Sequence, residues 1–115
     1  VSDEQSDEKR DPIKALDRME LNARRLGKAK AERVYLEEFR KTKKALLMRQ
    51  SDATSAAIQE RDAYSHPEYS ALLDALKIAV EAEETLRWRM VTDQLVVEVW
   101  RSTEASNRAM DRGTR

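Results

Sequence analysis

The sequence predicts an all-α protein: a long antiparallel helical hairpin with a short connecting helix, assembling into an oligomeric helical bundle or coiled coil. Three observations carry that expectation. Two glycines and two prolines in 115 residues leave the chain few places to turn. The chain is 38% charged and only 5% aromatic, and a composition rich in Ala, Glu, Lys, Leu and Arg belongs to long helices and coiled coils. Apolar residues recur in steps of three and four along most of the chain, which is a helical period.

The elements follow in order. Residues 1–10, VSDEQSDEKR, are polar and lack apolar periodicity, so they read as a disordered tail. A single helical domain is expected over 11–112. Asp11-Pro12 reads as a helix start, because Asp caps free N–H groups and proline suits the first helical position. Only Gly27 then interrupts helix-forming residues up to Arg49, which gives a first long helix over 12–49. Ile13, Leu16, Glu20, Ala23 and Gly27 fall on one line, continued by Ala31, Tyr35, Phe39, Thr42 and Leu46. Gly27 lies inside that line, so close approach of another helix is the expected use of a residue that costs about 1 kcal/mol relative to Ala.

QSDATS at 50–55 supplies the first turn, with a short helix expected over 53–63. Ser65-His66-Pro67-Glu68 has the spacing of a capping box, serine three residues before glutamate. It opens a second long helix over 66–110 that contains no glycine and, past its first turn, no proline. Two long helices of similar length joined by a short connector are expected to lie antiparallel.

Residues 86–101, LRWRMVTDQLVVEVWR, hold both tryptophans and the densest run of β-branched residues. Val96, Val97 and Val99 suit a strand. No second strand candidate exists in the sequence, however, and a lone strand leaves its backbone groups unpaired. On a helix at about 100° per residue, Leu86, Met90, Val97 and Trp100 gather on one side. Trp88, Val91, Leu95 and Val99 gather on nearly the opposite side. One hairpin partner covers only one of these stripes, and a soluble monomer rarely leaves a contiguous apolar patch in water. The second stripe, Trp88, Val91, Leu95 and Val99, is therefore the expected oligomer interface.

The 22 basic and 22 acidic residues cancel, so no global field favours nucleic acid or an anionic membrane. The distribution is uneven. Residues 21–50 carry ten basic against three acidic residues, and residues 51–100 four against ten. Such a division reads as pairing between packed helices. There is no cysteine, hence no disulfide or thiol chemistry. No apolar run approaches the roughly 18 residues a membrane helix needs, and the acidic N-terminus is unlike a secretory signal. A cytoplasmic protein with no membrane partner is expected.

No residue constellation specifies a reaction. His66 is the only histidine and reads as a cap or turn residue beside Pro67. Zinc sites built on Cys and His are excluded by count, and the Glu-x-x-His units of di-iron bundles are missing. Glu81, Glu83 and Glu84 read as a solvated helix face. Two glycines make no phosphate-cradling loop. No enzyme activity, cofactor, metal or small-molecule substrate is expected.

Nucleic acid is the alternative partner. Arg24, Arg25, Lys28 and Lys30 form one basic cluster, and Arg40, Lys41, Lys43 and Lys44 a second. Arg87-Trp88-Arg89 and Trp100-Arg101 set indoles beside guanidinium groups, as single-strand binding surfaces do. The two tryptophans lie about 120° apart around a helix, which does not make a stacking row. Indoles anchoring a core, with their neighbouring arginines snorkelling at its rim, account for them better.

At YLEEFRKTKKALLM (35–48), ERDAYSHPEY (60–69) and LRW…EVWRSTEASNRA (86–109), about two thirds of the chain resembles small proteins encoded by proteobacterial phages and prophages. These proteins lack an assigned function, and some lie near recombination or replication genes. The resemblance implies an accessory role in the host cytoplasm, with DNA-linked work as one form of it. It carries over no functional residue. The expected function is a non-enzymatic interaction or assembly protein that self-associates and acts on a protein partner or as a scaffold. The alternative is a DNA-binding accessory of phage recombination or replication.

Overall fold

The computed structural model describes residues 2–114, with side chains from residue 6 onward. The fold is all-α. Its elements are α1 (Ser2–Arg10), α2 (Pro12–Gln50), α3 (Ala56–Ser65) and α4 (Pro67–Gly113). Within each unit a stretch of α2 packs against a stretch of α4, running antiparallel in the unit of residues 27–84, and α3 connects the two long helices. Contacts divide the chain into two packed units, one of residues 27–84 and one combining the residues up to 26 with those from 85 onward.

In the unit of residues 27–84, α2 turns Arg33, Leu36, Lys43 and Leu47 inward, and α4 turns Tyr69, Leu72, Leu76, Ala79 and Glu83. The α4 row advances in strict alternation of three and four, the seam of a coiled coil. Leu47, Ala63 and Tyr69 make the buried cluster, with Met48 packed on it. Tyr64 meets Tyr69 edge to face at 5.2 Å. Lys44 Nζ sits 4.7 Å above the Tyr64 ring and 3.1 Å from Glu60. The Tyr64 hydroxyl, and after it Glu60, raises the Lys44 pKa by favouring its charged form.

The turn is closed by side chains. Ser51 Oγ donates to Asp62 at 2.7 Å and accepts from the Ala53 N–H, while Gln59 donates to the Ala53 carbonyl at 2.8 Å. The expected capping box at Ser65 is corrected here. Ser65 Oγ donates back to the Arg61 and Asp62 carbonyls within the last turn of α3. His66 caps α4 instead, its Nδ1 accepting from the Glu68 N–H at 3.0 Å. Proline at 67 holds His66 in the extended region, with φ −69° and ψ 137°. That backbone suits an N-cap and cannot continue α3.

In the other unit, α2 starts as its sequence predicts. Asp11 Oδ1 accepts from the N–H groups of Ile13 at 2.9 Å and Lys14 at 3.3 Å. Over the stretch 1–10, expected as a disordered tail, Ser2–Arg10 is helical; Val1 lies outside the described residues. Two side chains of α2 hold α1. Lys14 Nζ pairs with Glu8 at 2.8 Å, and Arg18 donates to the Glu8 and Lys9 carbonyls at the end of α1. The hydrogen bond between Lys14 and Glu8 lowers the Glu8 pKa and raises that of Lys14. A composition with no apolar period gives no hint of such a tie, because the tie is made to backbone carbonyls.

The apolar line expected along α2 lies outside. Ile13 is 66% exposed and Tyr35 61%, and Leu16 and Leu46 are exposed as well. The row beside it is the one turned inward: Ala15, Met19, Asn22 and Leu26 in one unit, Ala29, Arg33, Leu36, Lys43 and Leu47 in the other. Both rows of α2 are largely apolar, and polar residues in the inner row disguise it. Gly27 is corrected with them, for a Cβ added there meets nothing within 4 Å. It admits no close approach. Gly27→Ala is therefore expected to stabilise the fold by about 0.4–1 kcal/mol, read as a higher denaturation midpoint.

Candidate functional site

A regular stripe of exposed apolar side chains lies on α4 in the unit that contains residues from 85 onward. Leu86, Met90, Asp93 and Val97 continue the three-four seam and are turned toward α2. On the opposite side of α4, Trp88 is 63% exposed, Leu95 58% and Val99 65%, with Val91 half-buried among them. The stripe read from the sequence is thus left uncovered by the chain's own hairpin partner. Trp100 is itself 48% exposed and joins Leu95, Val96, Val99 and Thr103 in a shallow groove that Arg10 of α1 closes at one edge.

The same unit has little core of its own. Among the described residues, those fully buried in it are Ala15, Asn22 and Asp93, of which one, an alanine, is apolar. Polar contacts hold it instead. Arg18 Nε and Nη2 donate to Asp93 Oδ1 at 3.0 and 2.9 Å, and the same guanidinium reaches the end of α1. Arg18 therefore ties three helices at one point.

An equivalent polar pair sits in the unit of residues 27–84. Arg33 donates through Nε and Nη2 to the two carboxylate oxygens of Glu83, and through Nη1 to Glu37 at 2.9 Å. Glu83 first, then Glu37, pushes the Arg33 pKa upward. Glu83 is 2% exposed, so the solvated face expected for Glu81, Glu83 and Glu84 is wrong for its middle member. Arg18 and Asp93 were not singled out in the sequence, and neither Arg33 nor Glu83 was read as half of a buried pair. Their signal is register, since Glu83 and Asp93 fall on the three-four spacing of Leu76, Ala79, Leu86, Met90 and Val97.

The basic clusters fare differently. In the second, Lys43 pairs with Glu68 at 3.2 Å, Lys44 with Glu60, and Lys41 with Glu38 at 3.5 Å, while Arg40 is exposed. In the first, Arg24 and Arg25 are exposed in one unit and Lys28 and Lys30 in the other. Among the described residues none of these four forms an ion pair. No group of three or more His, Cys, Asp or Glu is placed to hold a metal among the described residues. No described helix is long and apolar enough to cross a membrane.

No protein-family model matches the chain, and comparisons with curated proteins and with solved structures find no match.

Proposed function

We propose that the chain is a non-enzymatic interaction and assembly protein, a helical bundle that self-associates through α4 and acts on a protein partner or as a scaffold. The phage-type accessory role implied by the resemblance, in the cytoplasm of a host cell, fits that reading. The observation that carries it is the uncovered stripe of Trp88, Val91, Leu95 and Val99, in a unit where Ala15 is the one fully buried apolar residue among those described. A large apolar side chain contributes about 1.5–3 kcal/mol when fully buried. A symmetric contact counts each one twice, which offsets an association cost that starts at about 4 kcal/mol.

Trp88→Glu combined with Leu95→Glu tests the reading. The native chain is expected to show a multiple of its 13.3 kDa mass in light scattering, and the double variant a smaller mass. Ile78→Glu, at a position 68% exposed in the other unit, should leave the mass unchanged. Native mass and helicity in the double variant would overturn the interface.

One observation favours the nucleic-acid reading as a second: Arg24, Arg25, Lys28 and Lys30 are exposed cations with no ion-pair partner among the described residues. Fluorescence anisotropy with single- and double-stranded oligonucleotides should then give an affinity that falls steeply with salt, as phosphate contacts require. Arg24→Glu with Arg25→Glu should flatten that slope. Absence of binding at low salt removes this reading.

A further inference from the structure

We infer that a second copy of this chain packs antiparallel on the exposed stripe of α4, across a two-fold axis passing near residue 93. The inference rests on the self-association proposed above and adds its orientation and register. A two-fold contact requires a surface that complements itself. Antiparallel pairing that sets Trp88 against Val99 of a second copy also sets Val91 against Leu95, and both pairs share a midpoint between 92 and 94. Each layer then matches a larger residue with a β-branched one, so the stripe fills its own gaps when reversed.

The charges at its edge point the same way. At about 100° per residue, Arg87, Gln94, Glu98 and Arg101 run along one flank of the stripe, and Thr85, Thr92, Val96 and Thr103 along the other. An antiparallel two-fold brings each flank against its own copy, whereas a parallel one brings opposite flanks together. Reversal about residue 93 sets Arg87 against Glu98 twice over, the midpoint again falling between 92 and 94. Glu98 is exposed and makes a long 3.8 Å contact to Arg101. Parallel packing leaves these charges facing threonines and Val96. Opposite charges facing one another select orientation even where each pair adds little affinity.

The test uses the full chain, in three arms. Arg87→Glu alone and Glu98→Arg alone should each raise the dissociation constant about tenfold, through two lost pairs and the like charges that replace them. The combined variant should return it to within about threefold of native. Single-cysteine variants then read orientation with a short bismaleimide. Gln94→Cys, near the axis, should cross-link to its own copy, and Ser102→Cys should not. Cross-linking at position 102, or a combined variant as weak as the single ones, would overturn the antiparallel arrangement and leave self-association standing. A single-copy mass for the native chain would overturn the self-association reading itself.

Discussion

Arg33→Leu should destabilise the fold far more than Glu83→Leu, although the two residues make the same pair. The asymmetry follows from where each charge lies. Glu83 is 2% exposed, so without the guanidinium its carboxylate loses two charge-assisted hydrogen bonds in a place water hardly reaches. Removing one partner of a buried pair costs about 3–5 kcal/mol, because the remaining ion keeps its desolvation penalty. The Arg33 side chain, by contrast, is 23% exposed and keeps Glu37 at 2.9 Å when Glu83 is replaced. Arg33→Leu with Glu83→Leu should recover most of the loss, since well-packed apolar residues replace buried ion pairs at little or no cost. Urea denaturation followed by far-ultraviolet circular dichroism measures all three. Equal losses in the two single variants would show that Glu83 is not held in a desolvated site.

The fold was legible where periodicity and breakers act locally. Scarce glycine and proline give the two long helices, Asp11-Pro12 gives the start of α2, and the spacing of Trp88, Val91, Leu95 and Val99 gives the exposed stripe. The inward row of α2 was not legible, for a physical reason. Both candidate rows carry apolar residues, and the true one is interrupted by Asn22 and Arg33, which look like surface residues until their partners are known. Arg33 and Glu83 lie 50 residues apart in sequence, Arg18 and Asp93 75. No local window sees such pairings. Strict three-four spacing on α4 would have found them, because it draws Glu83 and Asp93 into the seam despite their charge. The boundary at 65–67 was missed by one residue because the capping pattern counts Ser65 as a cap without asking which helix its hydroxyl serves. The helix over Ser2–Arg10 depends on Lys14 and Arg18, whose reach to α1 leaves no mark in the tail's own composition.

Leu47→Ala should cost about 2–5 kcal/mol, while Leu46→Ala one position earlier should fall within about 0.5 kcal/mol of native. The two substitutions remove the same atoms from adjacent positions of one helix, so helix propensity cancels between them and burial alone differs. Leu47 is 2% exposed and Leu46 42%. Two neighbours of Leu47 have little freedom to fill the space it would leave. Ala63, at 0% exposure, has no rotamer to swing into it, and Tyr69 is held edge-on by Tyr64. The cavity therefore persists and adds to the lost transfer energy. Leu36 and Ala79 are the only other buried apolar residues in this unit, so one leucine carries much of its core, against a total stability of about 5–15 kcal/mol for a typical domain. Amide exchange should then accelerate first in α3, which reaches the core through Ala63. Matching denaturation midpoints for the two leucine variants would place the core of this unit elsewhere than at Leu47, Ala63 and Tyr69.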